Sequence, residues 1–373
     1  MSNYSDIKFA GTSAQEPPFR NIIINGDMSI AQRGTSESGL TNGSSGYYTI
    51  DRWRYVENGS TTSQFTMSQD TDVPTGQGFA KSLKMDCTTA QIPIGSSDAI
   101  YIEQRIEGQN LQYIKKGTAN AQSLTVSFWV KSNKTGDFGI ALYDNDNARI
   151  IGNIYTINSA NTWEKKTVTF AEDTIGIFDN DNGHSLSVWF HLDAGADRKS
   201  ADNTIWGASS STKQAYGQTV NLADNTANEW YITGVQLEAG TTASDFEFLP
   251  YDVNLQRCER YYKIVSEKES NESHLGMAAQ YTGSVAYGTF DLGYRMRTIP
   301  TVTFPSGTNY YQVVGDAVGI QINAPDAFVN ITGGSSIRGR VQLSQSHTQG
   351  VAVWYRFSSN APTGSKITAE AEL

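Results

Sequence analysis

Short segments in which apolar and polar residues alternate recur along this chain of 373 residues. A period of two places alternate side chains on opposite faces of a β-strand. The pattern is clearest in residues 124–130 and 186–192. Segments rich in Asp, Asn and Gly, such as 144–147 and 179–183, separate these runs and are typical of turns. Many strands without intervening helices predict an all-β protein, built on an antiparallel jelly-roll β-sandwich.

Two stretches of the sequence define the predicted organisation. Residues 21–55 contain an opening strand and a Gly/Ser loop that leads into a Trp-bearing strand, and 231–264 contain a closing strand, a linker and one helix. We therefore predict a jelly-roll domain over 21–249, a connecting α-helix over 250–265 and a smaller C-terminal β-sandwich over 266–373. Residues 1–20 are polar and are predicted to form a flexible N-terminal arm.

The helix must pack on a partner, because about a dozen residues are marginal as an isolated helix. Asp252 is a candidate cap, and Leu255, Cys258 and Tyr262 share one face. Two partners remain open: the sandwich of the same chain, or the same helix in other copies around a symmetry axis.

The charge balance argues against nucleic acid and membranes as partners. The formal net charge is −10, which would repel a phosphate backbone or an anionic lipid surface. No apolar run reaches the ~18 residues of a membrane helix, and the N-terminus lacks the pattern of a signal peptide. We expect a soluble chain made in the cytoplasm, with Cys87 and Cys258 as buried free thiols.

The sequence contains no recognisable catalytic constellation. It has no G-x-S-x-G elbow, phosphate-binding loop or H-E-x-x-H motif. Residues 179–183 imitate the start of a calcium-binding loop, but Gly183 comes one position early and Phe190 occupies the twelfth position. Paired carboxylates could hydrolyse a glycoside, although the sequence cannot place two at the required separation. We expect a binding protein rather than an enzyme.

Aromatic side chains give the positive signal for binding. The alternation predicts a ring-bearing face directed away from the core, and rings with apolar faces can stack on sugars. Trp206 lies in a polar stretch that we interpret as a loop, where an aromatic residue more often serves binding. Trp53 is predicted to be a core residue. The predicted carbohydrate-binding residues are Trp129, Tyr143, Trp189, His191, Trp206 and Trp230. The alternative is that a loop, the second domain or another subunit covers these rings.

Several ordered motifs resemble bacteriophage tail-fibre and receptor-binding proteins. They are NIIINGDMSIAQRG followed by YYTIDRWRY, SLTVSFWVKS, and ITGVQLEAGTTASDFEFLPYDVNLQRCERYYKI, which together span roughly 21–264. The resemblance implies a jelly-roll domain similar to carbohydrate-binding modules, a homotrimer on the virion tail, and attachment to the bacterial surface. It also implies a structural calcium ion near Asn25, Asp27 and Glu238, although Asn25-Gly26-Asp27 also fits an ordinary turn.

These expectations lead to one favoured hypothesis and two alternatives. The favoured one is a non-enzymatic virion protein that binds host cell-surface polysaccharide or lipopolysaccharide, together with other virion tail proteins, without inserting into the membrane. The first alternative is a structural spacer or adaptor whose aromatic face is a protein interface. The second is a glycan depolymerase, although the repeats of a large parallel β-helix are not visible.

Overall fold

A computed structural model describes residues 19–269, 273–282, 285–315, 318–322, 327–330, 336–342, 348–350 and 352–373. Of the predicted N-terminal arm, residues 1–18 lie outside the described residues. Thirteen strands precede the helix: β1 Ser36–Leu40, β2 Gly46–Tyr47, β3 Arg54–Asn58, β4 Gln64–Asp70, β5 Ser82–Thr89, β6 Ala99–Glu107, β7 Leu124–Ser132, β8 Gly136–Asp144, β9 Arg149–Ile157, β10 Glu164–Phe170, β11 His184–Ala194, β12 Gly207–Ala208 and β13 Glu229–Ala239.

These thirteen strands form two antiparallel sheets that confirm the predicted jelly-roll sandwich. Sheet A has the order β1-β4-β5-β13-β7-β10, and sheet B has the order β12-β9-β8-β11-β6-β3-β2. The chain crosses repeatedly between the sheets, so strands distant in sequence become neighbours, such as β5 and β13 in sheet A. Such exchange between two packed sheets is the jelly-roll arrangement.

The inner faces of sheets A and B enclose one apolar core. Phe128 on β7 meets Phe190 on β11 edge to face, with ring centroids 5.1 Å apart. Trp53 is fully buried, as predicted, and its indole N–H donates to Asn25 O at 3.0 Å. The indole N–H of Trp230 donates to the Tyr155 hydroxyl at 3.1 Å inside the same core. Each buried polar group of these rings is thus paired, which avoids the cost of an unsatisfied donor.

The outward placement predicted for Trp230 is wrong, because a β-bulge interrupts β13. The alternation along 231–237 treats the strand as regular, yet the register with β7 shifts between Thr233 and Gln236. Gly234 is the extra residue, at φ +61°, and an inserted residue reverses which side chains face the core. Trp230 and Ile232 therefore enter the core, whereas Tyr231 points outward.

The N-terminal segment and the helix pack together at one end of the sandwich. Residues 21–31 form no strand, contrary to prediction, and Ile24 and Ile30 instead pack on Cys258 and Tyr261. Helix α1 spans Tyr251–Glu259, and the Asp252 side chain makes no capping hydrogen bond. Of the two partners considered, the structure shows the helix on its own chain. Both cysteines are free and buried, as predicted.

A buried carboxylate ties the helix to the sandwich. Glu107, at the end of β6, accepts two hydrogen bonds from the Arg260 guanidinium, both at 2.7 Å, and one from the Tyr261 hydroxyl at 2.5 Å. Burial alone would raise the pKa of Glu107, but these hydrogen bonds lower it below the usual value. The pair combines charge with fork geometry, which gives a strong and directional contact.

The strands after the helix form two further antiparallel sheets, as the predicted fold class requires. Sheet C has the order β14-β23-β17 and sheet D the order β19-β18-β22-β15-β16-β21-β20. The strands are β14 Tyr262–Glu267, β15 Ser273–Thr282, β16 Val285–Asp291, β17 Thr301–Thr303, β18 Tyr311–Gly315, β19 Val318–Ile322, β20 Ala327–Asn330, β21 Ser336–Gln342, β22 Ala352–Phe357 and β23 Lys366–Glu370. No helix in the described residues is long and apolar enough to span a membrane.

The bulge in β13 can be tested with Gly234→Ala. A Cβ at this position would lie 2.5 Å from Phe79 Cζ and would also require a left-handed backbone. We expect a loss of about 2–4 kcal/mol in the free energy of unfolding from strain and overpacking, measured by urea denaturation. Gly76→Ala is the matched control, since Gly76 has φ +76° with open space around it. Equal losses in the two variants would show that the contact with Phe79 is unimportant.

Candidate functional site

Three of the predicted binding residues, Tyr143, Trp189 and His191, form a ring cluster with Tyr101 on the outer face of sheet B. Trp189 stacks on Tyr143 with ring centroids 4.9 Å apart and meets Tyr101 in a tilted arrangement at 5.0 Å. Tyr101 also contacts His191 at 5.0 Å. The Trp189 indole N–H donates to Glu103 Oε2 at 2.9 Å. The period-two analysis therefore placed Tyr143, Trp189 and His191 on the correct face.

That face is covered, so the expected exposure of Trp189 and His191 is wrong. The polar segment 196–218 crosses β8 and β9: Gly152 N donates to Asn203 O at 2.7 Å, and a Cβ at Gly152 would lie 2.1 Å from Asn203 Nδ2. Trp189 is only 7% exposed and His191 is 0% exposed. Tyr143 remains half-buried. Trp189 and His191 are therefore packed within the structure and are not available to a sugar.

Trp206 has a similar packing role within segment 196–218. Its indole N–H donates to Ala171 O at 2.8 Å, and its half-buried ring packs against the main core. The ring also covers Lys116, whose Nζ lies 5.2 Å from the ring centroid. Trp206 was predicted to bind sugar because it lies on a loop, but most of its ring surface packs against the core.

Lys116 is the centre of a buried charge network beneath Trp206. Its Nζ donates to Asp144 Oδ2 at 2.5 Å and lies 3.1 Å from Asp173 Oδ2. Arg149 completes the network with two bonds to Asp173, at 2.7 and 2.9 Å. Burial would raise the pKa of Asp173, but hydrogen bonds from Arg149 and Lys116 lower it. Two cations therefore balance two carboxylates, which makes this network structural.

The outer face of sheet A carries a second ring cluster, in which Tyr231 is itself buried at 6% exposure. Cross-strand pairing aligns Lys84, Tyr231 and Lys131 on β5, β13 and β7. Trp163 precedes β10, and its ring lies 6.2 Å from Tyr231 in an edge-to-face arrangement. Trp129, predicted from the sequence, lies two residues before Lys131 on β7 and therefore on the same face. Trp129 and Trp163 are both half-buried. We call these five residues, together with Asp72 and Glu229, the sheet A ring face.

Charged side chains organise the sheet A ring face. Lys131 Nζ lies 4.2 Å from the Tyr231 ring centroid and pairs with Asp72, while the Trp163 indole N–H donates to Asp72 Oδ1 at 2.8 Å. Glu229 accepts from the Tyr231 hydroxyl and lies 3.2 Å from Lys84 Nζ. The Asp72 and Glu229 side chains are 45% and 39% exposed. Hydrogen bonds from their partners outweigh desolvation and lower the pKa of both carboxyls.

The hairpin between β9 and β10 fixes Trp163 in position. The Glu164 carboxylate accepts hydrogen bonds from the backbone N–H groups of Asn158 and Ser159, at 2.9 and 2.8 Å. These bonds fold the loop back on the start of β10. The indole is thereby held over Lys131 before any ligand arrives, which lowers the entropy cost of binding.

Sequence reasoning missed Trp163 and Tyr231 for different reasons. Trp163 lies just before a strand, in a turn that no apolar alternation marked. Tyr231 was assigned to the core because the bulge at Gly234 was not recognised. The glycine inside the strand was the available signal, since isolated strand glycines often mark bulges.

The residues predicted for calcium do not fit an ion in this arrangement. Asn25 is buried, and its amide bonds the backbone at Ile30 and Asp51. The Glu238 carboxylate accepts from Ser244 N at 2.8 Å, Ser244 Oγ at 2.7 Å and Gln236, whereas Asp27 Oδ1 accepts from Asn254 at 3.1 Å. Their oxygens thus serve separate partners. Among the described residues, no group of three or more His, Cys, Asp or Glu side chains could hold a metal ion.

A second exposed ring surface lies on sheet D. Met277 on β15 pairs with Trp354 on β22, and the two are 58% and 50% exposed. The Trp354 ring also contacts His274 at 5.6 Å. Further along the same sheet, Tyr281 and Tyr287 meet edge to face at 5.3 Å. The described side chains of this surface are more exposed than the rings of the sheet A ring face.

Comparison with solved structures finds distant likenesses. The enzymatically active domain of bacteriophage CBA120 tailspike protein 4 shares 14% identity, with 60% of this chain and 22% of that chain covered, at a TM-score of 0.32. A CBM4 structure shares 12% identity over 58% of this chain and 97% of that one, at a TM-score of 0.30. The family 11 carbohydrate-binding module from Clostridium thermocellum, in complex with a β-1,3-1,4-mixed-linked tetrasaccharide, shares 9% identity over 55% and 98%, at 0.27.

This chain spans only about a fifth of the tailspike protein's length. No protein-family model matches the chain, and no curated protein matches it. Because the TM-scores are low, we derive the proposed function from the side chains of this chain.

The Lys116 network predicts a large effect of Lys116→Met on stability. Removing the ammonium leaves Asp144 buried without its ion-pair partner, which should cost about 3–5 kcal/mol of unfolding free energy, as measured by urea denaturation. Lys115→Met removes the same charge from an exposed neighbour and should change stability by less than about 0.5 kcal/mol. Similar values for the two variants would contradict a structural role for this network.

Buried His191 predicts a dependence of stability on pH. Burial lowers its pKa to about 3, whereas the unfolded chain should titrate near pH ~6.5. Below pH ~6.5 the unfolded state binds a proton on this histidine that the folded state does not bind. The contribution of this group to the free energy of unfolding is therefore fully present above pH ~6.5 and falls as the pH is lowered. Between pH 7.5 and 5 this group should remove about 2 kcal/mol. In His191→Gln the free energy of unfolding should fall by about 2 kcal/mol less over this pH range, as measured by urea denaturation at each pH. In the exposed control His274→Gln, the fall should equal that of the unsubstituted protein. Equal pH profiles for all three proteins would refute the assignment to His191.

Proposed function

We propose that this chain is a non-catalytic attachment protein of a bacteriophage tail that binds a host surface glycan. The sheet A ring face is the observation that carries the proposal. It combines the half-buried rings of Trp129 and Trp163, supported by the buried Tyr231, with two ionised, solvent-accessible carboxylates. Apolar ring faces beside fixed hydrogen-bond acceptors are the combination that recognises sugars, which have apolar C–H faces and polar edges.

In the proposed complex, a sugar ring stacks on Trp163 or Trp129 while its hydroxyls donate to Asp72 and Glu229. Lys131 and Lys84 keep these carboxylates ionised and correctly directed. The site is an open surface and not a deep pocket, so a single site would bind weakly. The homotrimer implied by the sequence resemblance would present three copies, which raises avidity through effective concentration.

The charges on this face favour binding over hydrolysis. A glycosidase needs a carboxylic acid with a raised pKa to protonate the leaving group, whereas the pKa values of Asp72 and Glu229 are lowered. Two carboxyls with raised pKa values, Asp51, about 6, and Asp193, about 7, are fully buried and cannot reach a polysaccharide. The pKa of Asp86 is also raised by burial, and this partly exposed carboxyl lies opposite Glu229 on β5, 4.0 Å from Lys84 Nζ. Our proposal includes no cleavage step because the two carboxylates that contact the rings, Asp72 and Glu229, have lowered pKa values.

The proposal predicts loss of glycan binding in Trp163→Ala. We expect the affinity for host polysaccharide or lipopolysaccharide to fall at least about fivefold, because a stacking contact worth about 1 kcal/mol or more is removed. Binding can be measured by surface plasmon resonance on immobilised glycan, with circular dichroism as the check on folding. Tyr216→Ala removes an exposed ring from segment 196–218 and should bind normally. Unchanged affinity in Trp163→Ala and in Trp129→Ala would exclude the sheet A ring face.

The exposed face of sheet D favours one competing function, a structural adaptor within the virion. Its apolar side chains, Met277 and Trp354 among them, are of the kind enriched at protein interfaces. In that case Trp354→Ala, and not Trp163→Ala, would abolish co-purification with a tail protein, and no glycan would bind. The same pair of variants therefore separates the two functions.

A further inference from the structure

A cleft at the end of the sandwich contains an arginine without a carboxylate partner. It has a volume of about 440 Å³ and lies between the N-terminal segment, the turn after β6 and helix α1. Arg257 of the helix lines it, and the guanidinium donates to Asn21 O at 3.3 Å. Among the described residues this is its one hydrogen bond, and no carboxylate lies within ion-pair distance.

Three other arginines of the chain are paired with carboxylates, whereas the half-buried Arg297 bonds only backbone carbonyls, as Arg257 does. Arg52 pairs with Glu372, Arg149 with Asp173 and Arg260 with Glu107. Near Arg257, the Glu247 carboxylate is already directed to the backbone N–H groups of Phe19 and Asn21, at 2.6 and 3.0 Å. Burial lowers the pKa of Arg257, which remains charged at neutral pH. A cation taken out of water without a counter-ion is destabilised, and an anion in the cleft would relieve that cost.

The other walls of the cleft suit a sugar ring. Tyr113 and Phe19 are 50% and 60% exposed at its mouth, so their ring faces are free for stacking. Gln109 and Asn110 supply amide groups that can bond hydroxyls. The volume lies within the range of small-ligand pockets. Because the chain carries a net charge of −10, an anion gains nothing from long-range attraction and must be recognised locally.

We propose that this cleft binds the acidic residue of a saccharide, with the carboxylate of a uronic acid on Arg257 and the pyranose ring against Tyr113. The guanidinium fork matches a carboxylate in two parallel hydrogen bonds. This site is separate from the sheet A ring face and deepens the proposed glycan binding by defining the substrate class as acidic. A phosphate group on a sugar shares the relevant chemistry, and the experiment below distinguishes the two.

The test is isothermal titration of the full chain with trigalacturonate, its neutral methyl ester and inorganic phosphate. We expect the acid to bind at least about tenfold more tightly than the ester, and Arg257→Met to lose at least about tenfold in affinity for the acid, because a charge-assisted contact is removed. Competition by phosphate would extend the site to phosphorylated sugars, and no competition would restrict it to carboxylates. Equal binding of acid and ester, or no binding of any probe, would overturn the proposal.

Two control variants keep the outcome interpretable. Lys115→Met removes one exposed positive charge near the cleft, from a residue that does not line it, and should leave the affinity for trigalacturonate unchanged; an equal loss there would reduce the effect to bulk charge and overturn the site. Tyr113→Ala tests the cleft without touching Arg257 and should also weaken binding. Trp163→Ala should retain trigalacturonate binding, so a failure of the sheet A ring face and a failure of this cleft give different results.

Discussion

Burial of one face of every long strand between sheets A and B is the constraint on which the rest of the structure depends. The inner faces interlock through rings such as Phe128 and Phe190, and this packing supplies most of the stability of a sandwich. The side chains on the outer faces do not pack in this core and can contact loops, solvent or a ligand. The parity of each residue within its strand therefore decides whether it stabilises the fold or contacts the surroundings.

That dependence explains what could be predicted from the sequence. Regular alternation along β7, β8 and β11 correctly assigned the core and placed Trp129, Tyr143 and Trp189 outward. The same rule failed on β13, where one inserted glycine exchanged the roles of Trp230 and Tyr231. A bulge depends on pairing with two neighbouring strands, so a periodic pattern within one strand does not reveal it. The helix was predicted over 250–265, but α1 begins after Pro250 and ends at Glu259, and Tyr262 begins strand β14.

Accessibility was harder to predict than orientation. Segment 196–218 covers sheet B, and its position depends on long-range contacts such as Gly152 with Asn203. Small outward residues along β8 and β9 were a signal in retrospect, because Gly139, Ala141 and Gly152 make room for a covering loop. On sheet A, by contrast, Lys84, Lys131 and Glu229 keep the outer surface hydrated.

The bond network around Glu107 has a mechanical consequence. The part of the chain after helix α1 is attached to the sandwich at its beginning, through Arg260 and Tyr261, and again at residues 372–373, through Arg52 and Arg105. A pulling force applied to the loops of sheet D would therefore be divided between two anchored strands instead of unpeeling one linker. Two separate attachments should make this part of the chain harder to detach by force than a single linker would.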